Sequence, residues 1–177
     1  YRPMTGLNES FEAEDAPAGW TMNDWVVMPI SQYTMGGNPL YAADGTSCMA
    51  SQSMDDSGYD LVPLYVDNWM ISPKVDLGGT LEFYACDLGA NYAENYSVYV
   101  SLDGSEFSPL SMNISTPGAM NEWGKQEIDL SAYEGQQGYI AFRHHDSEGY
   151  YLFIDAVSIN GVEAGAEWTV MEGVTSP

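Results

Sequence analysis

Asp155 is the residue whose setting demands chemistry. It interrupts an apolar run from Tyr151 to Ile159, and a buried carboxylate is costly unless it is paired or bound to a metal. The chain has 26 acidic and only 4 basic residues, so a cation from solution is a more available partner than Lys or Arg. Calcium takes about six to eight oxygen ligands from carboxylates and backbone carbonyls. Glu12 opens the first strand, and in a sandwich that strand can neighbour the last one, so Glu12 and Asp155 form a candidate calcium pair. Asp24 is a third, weaker candidate. The alternative is an Asp155 that faces solvent on an edge or accepts backbone N–H groups. A second acidic loop, Asp55 to Asp60, lacks the glycine and the distant glutamate of an EF-hand and reads as a solvated turn.

Arg143-His144-His145 invites a catalytic or metal reading. Adjacent strand residues point to opposite faces, so the two histidines cannot easily share one ion. His144 falls on the face of Ile140 and Phe142 and reads as a hydrogen-bonded core residue. Arg143 is a candidate for binding a carboxylate on a partner. Pairing with an acid of its own domain is the favoured alternative, because acidic neighbours are plentiful. Loop aromatics are candidates for stacking on sugar rings: Trp123 first, then Trp25, Tyr59 and Tyr65, with Tyr33 beside them. Packing on the sandwich edge is the bland alternative for each. No Gly-x-Ser-x-Gly elbow, phosphate-binding glycine loop or His-Glu-x-x-His occurs, so no catalytic residue is assigned. Glycoside hydrolysis stays open, since it needs only two carboxylates at the right separation. Cys48 and Cys86 allow one disulfide or two buried thiols.

The elements that must position these residues are strands. Tyr96, Val98, Val100 and Leu102 share one face of an alternating run, and Ile140 and Phe142 point inward from another. Leu81 to Ala85, Trp25 to Met28, Thr46 to Ser51, Asp67 to Ile71 and the long run from Tyr150 to Ile159 complete the set. Asp103-Gly104 and Asn160-Gly161 mark turns. No apolar stripe holds helical spacing for three turns. The expected fold is all-β, a sandwich or barrel with long loops at 31–45 and 113–124. A net charge of -22 argues against nucleic acid and anionic lipid as partners. No stretch suits a transmembrane helix, so no membrane insertion is expected.

Several segments together resemble the cleaved-adhesin domains, MAM-like modules of Bacteroidetes surface proteins that are similar to choice-of-anchor J modules. They are Ser10-Phe11-Glu12 with Ala18-Gly19-Trp20, Asp67 to Pro73, Tyr96 to Gly104, Ala141 to His144, and Phe153-Ile154-Asp155. Asp155-Ala156 stands where the family often has Asp-Asp, and the acidic loop after the first Trp is reduced to Asn23-Asp24-Trp25. The resemblance implies a jelly-roll β-sandwich like that of carbohydrate-binding modules, with structural calcium. It implies a non-catalytic, secreted or cell-surface adhesion module of a larger protein, monomeric, whose partner is a host or matrix glycan or protein. A structural spacer is the alternative, and a small glycosidase a more remote one. The domain is expected over residues 1–160. Residues 161–177 read as a tail or the start of a fibronectin type III-like segment.

Overall fold

Alternating side chains decide which strands become the centre of each sheet, because only a strand with an apolar face gains by being covered. The computed structural model describes residues 6–161. In chain order the strands are β1 (Asn8–Glu9), β2 (Thr21–Met22), β3 (Trp25–Met28), β4 (Thr34–Met35), β5 (Asn38–Pro39), β6 (Cys48–Gln52), β7 (Met54–Asp55) and β8 (Val62–Pro63). They continue with β9 (Asp67–Ile71), β10 (Val75–Asp76), β11 (Thr80–Cys86), β12 (Asn95–Ser101), β13 (Ser108–Ser115), β14 (Gly124–Asp129), β15 (Gln137–His145) and β16 (Tyr151–Asn160). One six-stranded sheet runs β14-β11-β16-β6-β3, with β1 also on β16. The other runs β13-β12-β15-β9-β2, with β10 also on β15. All these pairings are antiparallel. The result is a jelly-roll β-sandwich. Two small ribbons, β4–β5 and β7–β8, decorate it.

The main core fills the space between the sheets. Leu81, Phe83, Leu152 and Ile154 of one sheet face Tyr96, Val98, Ile140 and Phe142 of the other. Phe83 sets its ring edge-on against Phe142 at 5.0 Å and 85°. Leu102 was expected to extend this inner face, but β12 ends at Ser101 and Leu102 is 48% exposed beside the Asp103-Gly104 turn. A second apolar cluster lies on the outer face of the β16 sheet. There the loop expected at 31–45 and the loop before β14 fold back over Cys48, Cys86 and Phe153. No described helix is long and apolar enough to cross a membrane.

Candidate ligand-binding cleft

The second apolar cluster covers only part of the outer face of the β16 sheet. Toward the β3 edge the face stays open and forms the floor of a half-open cleft of about 610 Å³. Val26, Ala50, Gln52 and Tyr151 make this floor. Register places them together: Val26 pairs with Ala50, and Gln52 with Tyr151. One wall is the turn Asn23-Asp24, which carries the chain from one sheet to the other. The opposite wall is Leu64-Tyr65-Val66, leading into Asp67 and Asn68 of β9.

Both walls are tied to the frame. The Asn23 backbone N–H donates to Trp69 O at 3.0 Å, and the Trp69 N–H donates back to Asn23 Oδ1 at 2.9 Å. Leu64 N–H donates to Ser53 O at 2.9 Å. Tyr65 then takes a positive φ of 52°, which turns its ring outward to 81% exposure. Asp24 also has a positive φ, of 57°, and its carboxylate has no hydrogen-bond partner among the described residues.

Beneath the cleft lies a sealed polar network. Asn68 Nδ2 donates to Ser51 Oγ at 2.9 Å, Ser51 Oγ meets His144 Nδ1 at 2.7 Å, and His144 Nε2 bonds to Glu94 Oε2. His144 and Glu94 are fully buried. Glu94 also accepts from Ser53 Oγ at 2.8 Å, Ser147 Oγ at 3.1 Å and the Tyr150 N–H at 2.7 Å. A buried ion or acid is tolerable when its lone pairs are filled in this way. The network ties β6, β9 and β15 to the 147–150 turn and fixes the wall at Asn68. Its Ser–His–Glu order resembles a hydrolytic relay, but Ser51 has no exposed surface, so no substrate can reach it.

Asp155 is buried on the other side of the same sheet face. Alternation from Tyr151 and Phe153 points it outward from the core, and the loop at 42–47 folds over it. A bulge follows: the register of β11 with β16 shifts between Glu82 and Tyr84, and Ala156 takes a φ of 51°. Asp155 Oδ2 accepts the Asp44 N–H at 3.0 Å and Oδ1 accepts the Ala156 N–H at 2.7 Å. Glu12 grips the same loop, accepting the Thr46 N–H at 2.7 Å and the Ser47 N–H at 3.0 Å. Burial pushes the Asp155 carboxyl up to about 7, with the negative charges of Glu12 and Asp44 adding to the rise and the two N–H bonds opposing it. Among the described residues no three His, Cys, Asp or Glu side chains converge as a metal cage.

The sequence profile of the Cleaved Adhesin Domain matches residues 4–159. The chain belongs to the cleaved adhesin family. It is 30% identical to Hemagglutinin A of Porphyromonas gingivalis over 92% of its own length, while spanning 7% of that protein. It is 31% identical to the K1 cleaved adhesin domain of Lys-gingipain from Porphyromonas gingivalis W83, at a TM-score of 0.65, covering 89% of this chain and 99% of that one. A family 61 carbohydrate-binding module, solved with β-1,4-galactotriose, shares the fold at a TM-score of 0.56 and 16% identity, over 84% of this chain and 92% of that one.

Within this cleaved adhesin domain the expected site residues part company. Glu12 and Asp155 hold one loop, as described. Asp24 does not join them: it precedes Trp25, which pairs with Ser51, whereas the Glu12 loop leads into Cys48 at the other end of the ladder. That ladder sets them roughly 10 Å apart or more. Asp24 lines the cleft instead, with Tyr65. Trp25 is not a contact residue. It is 4% exposed in the main core, and its indole N–H donates to Asn68 O at 3.1 Å. Trp123 packs toward Phe153 at 6.4 Å in the second cluster and donates to Tyr41 O at 3.0 Å, which occupies its polar edge. Tyr59 is fully exposed in the β7–β8 loop, outside the cleft lining.

Arg143 is engaged within the domain. Its Nε and Nη2 donate to the two Asp67 oxygens at 2.6 and 3.1 Å, Nη1 donates to the Tyr99 hydroxyl at 3.2 Å, and the guanidinium lies 5.3 Å from the Trp69 ring centre. The bond from Arg143 holds the Asp67 carboxyl below the usual range. Cys48 and Cys86 are free thiols. They sit on β6 and β11, on either side of β16, about 9–10 Å apart by strand spacing, which is beyond disulfide reach. Sequence reasoning missed Gln52, Asn68, Tyr151 and Glu94. Alternation through Phe153 carries a signal for Tyr151. Glu94 sits in a polar stretch that gives none. The fibronectin-like reading of residues 161–177 falls, beyond Gly161, outside the described residues.

Proposed function

We propose that this domain is a non-catalytic adhesion module of a larger secreted or cell-surface protein, and that the cleft on the outer face of the β16 sheet is its contact site for a host or matrix glycan or protein. The observation that carries this reading is the cleft itself. It is open, walled by hydrogen-bonded turns, and equipped with an outward tyrosine and a carboxylate that has no hydrogen-bond partner among the described residues. Family membership and a relative named a hemagglutinin support adhesion. The galactotriose-bound module of the same fold supports a carbohydrate among the possible ligands.

The charge state of Asp67 speaks against a glycosidase. Such an enzyme needs one carboxylic acid whose pKa is raised so that it can protonate the leaving group. Asp67 shares the cleft with Asp24, but Arg143 keeps it ionised. Calcium is the proposed structural ion. Glu12 and Asp155 would supply side-chain oxygens and the 42–47 loop backbone carbonyls. The ion would offset the charge of Asp155 and those of Glu12 and Asp44 that act on it. Asp24 has no part in it. Binding to an array of glycans and matrix proteins tests the adhesion reading. Retention of at least one ligand, lost in Tyr65→Ala, is expected; a clean array moves the domain to the spacer role.

A further inference from the structure

We infer that the cleft takes a neutral glycan and rejects acidic ones. The inference rests on the assignment of the cleft as the contact site and names the ligand class. Size comes first. A cleft of about 610 Å³ falls in the range of small-ligand sites, whereas a stable protein partner needs roughly 800 Å² of buried surface on each side. The second point is the mixed character of the lining. Val26, Leu64 and the rings of Tyr65 and Tyr151 offer apolar surface, and Asp24, Gln52 and Asp67 stand among them. A pyranose has the matching duality, with an apolar C–H face for an aromatic ring and a ring of hydroxyls for carboxylate and amide oxygens.

Polar groups in the lining differ in what they have left to offer. Asn23 and Asn68 are committed to the frame. Asp67 is held by Arg143 and by the Trp69 indole N–H at 3.0 Å. Gln52 uses its Nε2 on Met54 O at 2.6 Å, which leaves its carbonyl oxygen to accept. Asp24 keeps both oxygens. The unspent carboxylate and amide oxygens are acceptors, and the Tyr65 and Tyr151 hydroxyls can donate or accept, a set suited to the hydroxyls of a sugar.

Charge excludes acidic ligands. Asp24 lines the cleft, Asp55 and Asp56 stand on the adjoining ribbon, and Asp67 and Arg143 neutralise one another. A glycan with carboxylates or sulfates would meet this field with no Lys or Arg among the described residues of the lining to receive it. A basic peptide would answer the charge, but would use little of the shaped apolar floor.

Isothermal titration of the purified domain with soluble neutral polysaccharides (β-1,4-galactan, xylan and a glucan), with heparin, and with oligo-lysine tests the inference. Binding of at least one neutral polymer is expected, with Tyr65→Ala and Asp24→Ala each weakening it about tenfold. Both side chains are exposed, so unchanged melting curves will show that the variants fold. Preference for heparin overturns the ligand class, and so does oligo-lysine as the only binder. If Tyr65→Ala weakens that binding, the cleft assignment survives; neutral-glycan binding indifferent to both substitutions overturns the assignment itself.

Discussion

Two carboxylates bracket the chemistry of this domain at the scale of single residues. Glu94 is buried and makes four hydrogen bonds to three parts of the chain. Removing His144 leaves a buried Glu94 oxygen without its partner and opens a cavity, so His144→Ala should cost about 2–4 kcal/mol, measured by chemical denaturation. Asp155 is the opposite case, an acid held against its preference. Folding raises its pKa to about 7, above the value of about 4 in an unfolded chain. The folded protein therefore binds the proton more tightly, and the contribution of Asp155 to stability declines as pH rises from about 4 to about 7. Asp67 and Asp103 titrate below that window and do not contribute within it. In EDTA, stability should fall as pH goes from 5 to 7.5, and Asp155→Asn should flatten that dependence. Saturating calcium should flatten it too, and should raise the melting temperature at neutral pH. An unchanged melting curve with and without chelator removes the calcium proposal.

Elements explain why some of this was legible beforehand. The central strands β11, β12, β15 and β16 are apolar on at least one face; alternation located the first three, and a long apolar run located β16. The edge strand β14 is polar and half-exposed, with no apolar period that separates it from a loop, while β13 alternates Leu110, Met112 and Ile114 with polar residues but runs into the Asn/Ser/Pro-rich stretch that reads as loop. The inward placement of His144 followed from Ile140 and Phe142, four and two positions before it. The fates of Trp25 and Trp123 did not. Both depend on partners over 40 residues away, a carbonyl of β9 for one and a loop carbonyl for the other. The second cluster, built from a folded-back loop, hides its covering role behind a loop composition. Gly149 tests the tight turn that closes on Glu94. A Cβ there would lie 2.1 Å from Glu94 Oε1, so Gly149→Ala should destabilise the domain by about 1–3 kcal/mol through overpacking. The sheet also predicts thiol behaviour. Burial pushes Cys86 up to about 12 and Cys48 upward as well, so neither should react with a thiol reagent at pH 8 until the domain unfolds.

For the whole molecule, a net charge of -22 on 177 residues sets what can approach. It leaves neutral sugars indifferent and repels acidic ones, so affinity for a neutral glycan should change less than about twofold across 50–500 mM salt. The fold family was readable from ordered short segments, because those segments are the strands and turns of the sandwich. The cleft was not, since it is assembled from β3, β6, β16 and the approach to β9, which only the folded topology brings together. The most direct check is a backbone amide NMR titration with a neutral oligosaccharide that binds. Shifts should concentrate at Asp24, Val26, Gln52, Tyr65 and Tyr151. Shifts gathered instead on the face of Trp69 and Tyr99, or in the 42–47 loop, with those five unmoved, would contradict the cleft as the place where this domain meets its ligand.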